Sequence, residues 1–185
     1  MADLSFIKPS KTIKDLLIIE RPTFPDDRGF FREAFRLNEL EEFLGHPFKP
    51  VQWNHSKSLP NVIRGLHAEN WNKFGYPVCG EMVSFFVDIR PNSPTFAKVD
   101  SVKFSDETPK GVYIPKGIAN SICVTGTKPV NYLYLVDAYY DGKDTTAVAW
   151  DDPDINIKWP VENPIVSEKD RNNPKLRDLF PNKFK

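Results

Sequence analysis

The sequence centres on Val62-Ile63-Arg64-Gly65-Leu66-His67-Ala68-Glu69, in which an apolar, β-branched run leads into an Arg-Gly pair and a histidine. This pattern predicts a strand whose alternate side chains face a cavity. Gly65 has the backbone freedom that Arg64 and His67 need to reach a common pocket. An arginine there can hold an anionic ligand, and a histidine can move a proton. The alternative is a solvated Arg64 and a core His67 that is satisfied by a backbone partner.

The composition indicates one domain and gives no support to a nucleic-acid partner. The 185 residues suit a single domain over residues 1–185 with a sizeable core. Lys plus Arg and Asp plus Glu both number 25, so the formal net charge is +0. No apolar run reaches the roughly 18 residues of a membrane span, and the start lacks the features of a signal peptide. Cys79 and Cys123 have no pairing or metal spacing, so we expect a cytoplasmic protein.

Turn residues predict many short strands rather than a helical bundle. The chain has 17 prolines and 9 glycines, and 13% of its residues are aromatic. Apolar spacing predicts one helix over residues 37–44 that ends at Gly45. Strands are predicted over residues 16–20, 30–35, 51–58, 62–69, 78–90 with a bend at Gly80, 97–104, 111–124 with a Pro-Gly turn, 130–136 and 146–150. Residues 70–76 and the tail after 159 are predicted to be irregular. About ten strands fit an all-β jelly-roll barrel with a few short helices, whose mouth can hold a ligand.

Two of the predicted strands carry rows of polar or aromatic groups on one face. Gln52, Asn54 and Ser56 alternate along one strand and present hydrogen-bonding groups. A ligand and a solvent-exposed face explain this row equally well. Tyr132 and Tyr134 share one face of the strand over residues 130–136.

The order and spacing of several motifs resemble the dTDP-4-dehydrorhamnose 3,5-epimerase family over nearly the whole chain. The motifs are Asp27-Arg28-Gly29-Phe30-Phe31, Gln52-Trp53-Asn54-His55-Ser56-Lys57-Ser58, Arg64-Gly65-Leu66-His67, Val87-Asp88-Ile89-Arg90 with Ser93-Pro94-Thr95-Phe96, Ile114-Pro115-Lys116-Gly117, Trp150-Asp151-Asp152-Pro153, Trp159-Pro160 and Ser167-Glu168-Lys169-Asp170. The resemblance implies a cupin-type jelly roll, also called a double-stranded β-helix. It also implies a nucleotide-sugar substrate and a homodimer with strand exchange near the N-terminus.

The resemblance further implies an isomerase that acts on a nucleotide-linked 4-keto sugar. A ketone at C4 acidifies the hydrogens at C3 and C5, because the carbanion delocalises onto O4 as an enolate. By resemblance His67 is the base, and Asp170 orients it and stabilises its protonated form. Lys73 lies near the developing enolate oxygen. Tyr134 reprotonates the opposite face, and its phenol has a reference pKa of about 10.

Further positions of the resemblance imply contacts with the substrate. Arg28 and Arg64 match positions that contact the diphosphate or the sugar, where guanidinium geometry suits phosphate. The other implied contacts are Glu33, Gln52, Asn54 and Tyr140. Of these, Tyr140 stacks on the nucleobase.

Departures from the family pattern cluster around the predicted pocket. Asn120 replaces a histidine in the family's Gly-Phe-Ala-His-Gly-Phe stretch, and Ser84 replaces an aspartate. We expect these two positions to be neighbours. Ala68-Glu69 replaces an aromatic residue and a glutamine, and Trp53 lies where an acid is common.

These departures favour a different substrate over ordinary dTDP-rhamnose synthesis. We expect a GDP-linked 4-keto-heptose or a related deoxysugar, used in capsule or surface polysaccharide synthesis. The alternative is dTDP-4-dehydrorhamnose. Asn120 cannot act as a base, so inversion at C3 alone, at C5 alone or at both carbons stays open.

Three other classes of protein are alternatives to the epimerase. A metal-dependent cupin oxygenase needs two or three histidines and a carboxylate at one site, and no histidine follows His67. We therefore expect no metal and no other cofactor. A sugar-nucleotide 3,4-ketoisomerase has a related fold, but the motifs around His67 and Asp170 fit the epimerases better. A non-catalytic nucleotide-sugar binding module would keep Arg28 and Arg64 and tolerate loss of His67 and Tyr134.

Overall fold

The computed structural model describes residues 3–142 and 146–184, which form strands and a few short helices. The strands are β1 (Ile7–Pro9), β2 (Leu17–Ile19), β3 (Phe24–Asp26), β4 (Gly29–Phe31), β5 (Gln52–Ser58), β6 (Val62–Ala68), β7 (Lys73–Cys79), β8 (Met82–Asp88), β9 (Val99–Phe104), β10 (Gly111–Ile114), β11 (Ile118–Val124), β12 (Val130–Val136), β13 (Thr146–Ala147) and β14 (Ile165–Val166). The helices are α1 (Leu37–Leu44), α2 (Glu168–Arg171) and α3 (Leu176–Leu179), with 3-10 turns at Leu4–Phe6 and Pro181–Lys183. The expectation that residues 1–185 form a single domain stays a prediction.

Two six-stranded sheets form the body of the fold. The first sheet has the order β1-β2-β10-β7-β12-β5 and is antiparallel. The second has the order β13-β6-β11-β8-β9, and β14 pairs with β6 in parallel. The chain alternates between the two sheets from β5 to β8 and again from β10 to β12, as in a jelly roll. The predicted all-β jelly roll with a few short helices is therefore confirmed.

Apolar side chains from both sheets form the main core. One buried cluster joins Met82 and Phe86 of β8 with Ile118 of β11 in the second sheet, and with Val112 and Val130 in the first. Burial of each large aliphatic or aromatic side chain stabilises the fold by about 1.5–3 kcal/mol. The two sheets are therefore held face to face around the space in which polar side chains of the cavity lie.

The C-terminal segment covers the opposite face of the second sheet. Leu66 of β6 and Ala119 of β11 pack there with Val148 and Leu176. The segment contains β14, α2 and α3, so the prediction of an irregular tail is wrong. Helices of one turn and a two-residue strand are too short to show a hydrophobic period in the sequence.

Gly80 separates two strands that the sequence merges. The sequence predicts one strand over residues 78–90, whereas β7 ends at Cys79 and β8 begins at Met82. Gly80 has a φ of +91°, and a Cβ there would lie 2.7 Å from the carbonyl oxygen of Pro129. The prediction is wrong because a glycine and a proline inside β7, both unfavourable in strands, hide its pattern.

A register shift in β6 brings Arg64 and His67 to one cavity. Asn120 lies opposite His67 in the β6–β11 ladder, but Ile122 lies opposite Arg64, so β6 contains one extra residue. Residues three apart on a regular strand face opposite sides, and an extra residue removes this difference. Gly65 lies within the shift and has a φ of +133°. Because Arg64 and His67 line the same cavity, the predicted role of Gly65 is confirmed.

We expect Gly65→Ala to lower the free energy of unfolding by about 2–5 kcal/mol, as measured by urea denaturation. A Cβ at this position would lie 2.8 Å from the carbonyl oxygen of Asn120 and 2.9 Å from the Cα of Ser121. Gly29→Ala is the matched control, since Gly29 has a φ of +135° and a Cβ there meets no atom within 4 Å. The control should lose about 1 kcal/mol, and equal losses in the two variants would contradict the steric explanation.

Candidate active site

Both sheets contribute side chains to a central cavity of about 180 Å³. β6 and β11 belong to the second sheet and β5, β7 and β12 to the first, so the cavity lies between the two sheets. The lining residues are Ser56, Arg64, His67, Glu69, Lys73, Asn120, Ser121, Ile122, Tyr132 and Tyr134. Five of the predicted site residues thus meet here.

His67 and Asp170 form a hydrogen-bonded pair at the wall of the cavity. The Nε2 of His67 donates to the Oδ1 of Asp170 at 2.6 Å. The second carboxylate oxygen accepts from the backbone N–H of Gly65 at 3.3 Å. Ser167 caps α2 by accepting from the backbone N–H of Asp170, which places the carboxylate beside β6. The pair can take up a proton and hold the imidazole in one orientation.

The surroundings of Asp170 keep its carboxylate ionised. Burial acts to raise its pKa, since only 3% of the residue is exposed. The hydrogen bond and charge of His67 and the bonds from Gly65 and Ser167 outweigh burial and hold the pKa of Asp170 below its ordinary value. A charged carboxylate therefore stands behind the imidazole at neutral pH.

Lys73 is the buried cation of the cavity. Its Nζ donates to both carboxylate oxygens of Glu69, at 2.9 and 2.8 Å, and to the Oδ1 of Asn120 at 3.3 Å. The same Nζ lies 5.0 Å from the ring centroid of Tyr134. Burial acts to raise the pKa of Glu69, but the charge and hydrogen bonds of Lys73 and the charge of His67 hold it below the ordinary value.

Glu69 is a site residue to which the sequence assigns no role. The sequence does indicate its position, because Glu69 follows His67 by two residues and alternation along a strand puts such residues on one face. The family resemblance gives this position no role, since Glu69 is itself a departure from the family pattern.

Asn120 connects the groups on both sides of it. Its Nδ2 donates to the backbone oxygen of His67 at 2.7 Å and to the Oε2 of Glu69 at 3.3 Å. Asn120 also pairs with Phe86 in the ladder between β11 and β8. Ser84 lies two residues from Phe86 on the same strand, so it faces the same side as Asn120 at a diagonal position.

Two tyrosines form the wall opposite His67. The ring centroids of Tyr132 and Tyr134 lie 5.9 Å apart on β12. Burial, and then the negative charge of Glu69, raise the pKa of Tyr134, whereas Arg64 opposes the shift. Burial likewise raises the pKa of Tyr132. Both phenols are therefore protonated at neutral pH and can donate.

Three predicted substrate contacts lie together outside the lining of the cavity. The Nε2 of Gln52 donates to the Oδ1 of Asn54 at 2.8 Å, and the Oε1 of Gln52 accepts from the backbone N–H of Tyr140 at 3.0 Å. Tyr140 is exposed, and its ring centroid lies 6.4 Å from that of Trp71. Arg64, which lines the cavity, donates through its Nε to the Oγ of Ser58 at 2.9 Å.

Arg28 and Glu33 lie elsewhere in this chain. The side chain of Arg28 is 90% exposed at the turn between β3 and β4, where it pairs with Asp26. Glu33 is bonded to Arg21 and Arg36. Neither residue lines the central cavity.

Two kinds of feature are missing from the described residues. Within residues 3–142 and 146–184, no three His, Cys, Asp or Glu side chains cluster in a way that could hold a metal ion. No helix in these ranges has the length and apolar character needed to cross a membrane.

Comparison with known proteins identifies the family. The profile of one family, described as dTDP-4-dehydrorhamnose 3,5-epimerase, matches residues 10–178. A protein of that name from Shigella flexneri is 40% identical over 170 residues, which cover 90% of this chain and 93% of the relative. The chain belongs to the dTDP-4-dehydrorhamnose 3,5-epimerase family. The predictions of an isomerase and of a cupin-type fold are therefore confirmed.

Solved structures of dTDP-sugar epimerases share the fold of this family member. The dTDP-6-deoxy-D-glucose-3,5-epimerase of Legionella pneumophila, in complex with dTDP-4-keto-L-rhamnose, is 33% identical, with a TM-score of 0.87 and 95% of both chains covered. A 3′-monoepimerase from Streptomyces bikiniensis, in complex with dTDP-quinovose, is 27% identical, with a TM-score of 0.85 and coverage of 92% of this chain and 89% of that one. The solved structures with this fold therefore include an enzyme named for two carbons, a 3,5-epimerase, and one named for a single carbon, a 3′-monoepimerase.

We expect Asp170→Asn to lower the stability of this epimerase-family protein at neutral pH. The folded state lowers the pKa of Asp170, so its contribution is fully present above the unfolded value of about 3.9 and is lost as the pH falls through the lowered value. The difference in unfolding free energy between wild type and variant should therefore shrink as the pH drops below about 4.

Urea denaturation at a series of pH values measures this difference. Asp151→Asn, at an exposed aspartate, is the control and should leave stability nearly unchanged. A wild-type advantage over Asp170→Asn that stays constant from neutral to strongly acid pH would contradict the assigned charge.

Proposed function

We propose that this protein epimerises a dTDP-linked 4-keto sugar at C3 and C5 through an enolate. The observation that carries the proposal is the convergence of His67, Lys73 and Tyr134 on one cavity, with Asp170 bonded to His67. Membership of the family supports the reaction class. The names of the relatives support dTDP as the nucleotide.

His67 removes the proton from carbon in this mechanism. Its Nε2 is bonded to Asp170, so Nδ1 is the nitrogen left to accept the proton. When the C–H bond breaks, its electron pair moves onto O4 to give the enolate. The ionised Asp170 then stabilises the imidazolium that has formed.

Tyr134 returns a proton from the other side of the sugar. His67 lies on β6 and Tyr134 on β12, which belong to opposite sheets. A sugar ring between them loses its proton toward one wall and regains one from the other, so the carbon is inverted. Lys73, close to the ring of Tyr134, supplies positive charge to the enolate oxygen.

The size of the cavity indicates how the rest of the substrate lies. About 180 Å³ accommodates a sugar ring, whereas pockets for whole ligands of drug size usually measure 300–1,000 Å³. We propose that the diphosphate extends past Arg64 and that Gln52 and Asn54 contact the nucleotide. The exposed ring of Tyr140 then stacks on the nucleobase.

The nucleotide and the sugar differ from those that the sequence favours. The expectation of a GDP-linked 4-keto-heptose used in capsule synthesis rests on departures at Asn120, Ser84 and Glu69. The relatives named above give it no support, so we propose the dTDP-linked 4-keto-6-deoxy sugar instead. The similarity to a 3′-monoepimerase makes inversion at C3 alone a second outcome to be measured.

Deuterium incorporation in D₂O, followed by NMR at C3 and C5, tests the proposal. We expect the wild type to exchange protons of a dTDP-linked 4-keto-6-deoxy sugar faster than those of a GDP-linked one. His67→Asn should lower exchange at both carbons by at least about 10²-fold, because it removes the base. Tyr134→Phe should lower the yield of inverted product more than it lowers exchange.

The same substitution at a distant histidine is the control for these experiments. His46→Asn changes an exposed histidine and should leave exchange unchanged. Substrate binding by the wild type without exchange at either carbon would contradict the proposal and favour a binding module. Faster exchange with the GDP-linked sugar would overturn the proposed nucleotide.

We also propose that the protein is a homodimer in which the β3–β4 hairpin contacts the second copy. All six strand residues of the hairpin are exposed, and Phe24, Phe30 and Phe31 are 57%, 61% and 66% exposed. A groove of about 340 Å³ on the first sheet, lined by residues such as Phe35 and Tyr76, offers a complementary apolar surface. Insertion of the hairpin of one copy into the groove of another would carry Arg28 toward the partner's site.

Sedimentation equilibrium tests the proposed dimer. We expect the double variant Phe30→Asp/Phe31→Asp to be monomeric, because charged residues replace exposed apolar rings at the interface. Leu59→Asp, at a leucine that is 57% exposed outside the hairpin, should leave the dimer intact. In the same series Arg28→Ala should remain dimeric but raise the KM. A wild type that sediments as a monomer would overturn this proposal.

A further inference from the structure

Three hydrogen bonds hold the buried ammonium of Lys73 in place. Only 5% of its side chain is exposed, and its ammonium meets a carboxylate in a two-point arrangement on Glu69. A third bond reaches Asn120, which in turn bonds to Glu69 and to the backbone of His67. The ammonium, the carboxylate and the strand that carries the base are therefore joined in one hydrogen-bonded cluster.

The cost of burial explains why a carboxylate is needed at this place. A buried ammonium without a counter-charge loses its hydration and favours its neutral form. Neutral Lys73 could still accept or donate a hydrogen bond but would supply no positive charge to an enolate. Glu69 removes this cost, since it supplies the opposite charge at 2.8 Å.

Other charged groups around Lys73 do not replace Glu69. The titratable groups that share its cavity or its strand end are Arg64, His67, Glu69, Tyr132 and Tyr134, with Asp170 behind His67 and Asp137 bonded to the neighbouring Asn72. Arg64 adds positive charge, and Asp170 and Asp137 are bonded to other partners. Among these described groups, Glu69 has both carboxylate oxygens on the ammonium.

We propose that Glu69 is the positioning residue that keeps Lys73 charged and fixes it beside the enolate oxygen. The inference rests on the proposed epimerase function and deepens it, because it assigns a counter-ion to Lys73, the group that stabilises the enolate oxygen. Glu69 acts through Lys73 and does not itself move the substrate proton. Asn120 bonds to both Lys73 and the backbone oxygen of His67, so a displacement of Lys73 would also displace the backbone of the base.

Two variants separate the charge of Glu69 from its geometry. Glu69→Gln keeps the length of the side chain and one acceptor for Lys73 but removes the negative charge. Glu69→Asp keeps the charge but shortens the side chain by one methylene. Glu107→Gln makes the first change at an exposed glutamate and is the matched control.

The first measurement needs no substrate. NMR of ¹⁵N-lysine-labelled wild type and variants follows the Nζ signal of Lys73 against pH, with Lys73→Met to assign the signal. Glu69→Gln should move the midpoint of this titration down by at least about one pH unit, because the buried ammonium loses its counter-charge. In Glu69→Asp the midpoint should stay close to the wild-type value, because the negative charge is kept. Glu107→Gln should leave the midpoint unchanged.

The second measurement follows proton exchange of the 4-keto sugar in D₂O. Glu69→Gln should lower the maximal rate roughly 10- to 100-fold at neutral pH while the KM changes less than about threefold, since the enolate is affected more than binding. The alkaline limb of the rate profile should move down with the NMR midpoint. A loss of structure alone would lower the rate at all pH values alike.

The outcomes distinguish a failure of the role proposed for Glu69 from a failure of the proposed epimerase function. A lowered midpoint together with slower exchange in Glu69→Gln supports the role of Glu69. An unchanged midpoint, or an unchanged rate, in a variant that still folds would overturn it while leaving the epimerase proposal intact. Absence of exchange by the wild type with every 4-keto sugar would overturn the proposed function, whatever the titration gives.

Discussion

The hydrogen bond between His67 and Asp170 is the interaction on which the site depends. One carboxylate oxygen holds the imidazole at 2.6 Å, and the other accepts from Gly65 inside the register shift of β6. The same carboxylate therefore fixes the imidazole and the backbone that directs it into the cavity. Its ionised state follows from these bonds, which outweigh the effect of burial on its pKa. The orientation of the imidazole and the local register of β6 are thus set together by a single side chain.

The fold class could be predicted because several segments show unbroken patterns. β12 and α1 have the bounds that alternation and leucine spacing predict, and α1 ends at Gly45 with a φ of +71°. β7 could not be predicted, since its glycine and proline are unfavourable in strands and tertiary pairing overrides that preference. The short elements of the C-terminal segment are stabilised by packing on the second sheet. Their own sequence shows no period from which they could be found.

The site could be predicted in part, and the reason lies in the distances along the chain. Four different elements carry His67, Lys73, Tyr134 and Asp170. A family resemblance could therefore predict that these residues lie together, whereas a local sequence pattern could not. Glu69 needed the contacts themselves, because its significance is its bond to Lys73. The result is a cavity with two bonded pairs, Asp170 with His67 and Glu69 with Lys73. Each pair keeps a charge in place that burial alone would suppress.

The position of Asp170 in the sequence has a consequence for folding during translation. The bond from His67 spans 103 residues, and synthesis from the N-terminus reaches residue 170 after every strand described here has been made. Domains commonly begin to fold during translation. A nascent barrel can therefore pack its sheets while its histidine still lacks the carboxylate partner. The bond between His67 and Asp170 can form only once α2 has been synthesised.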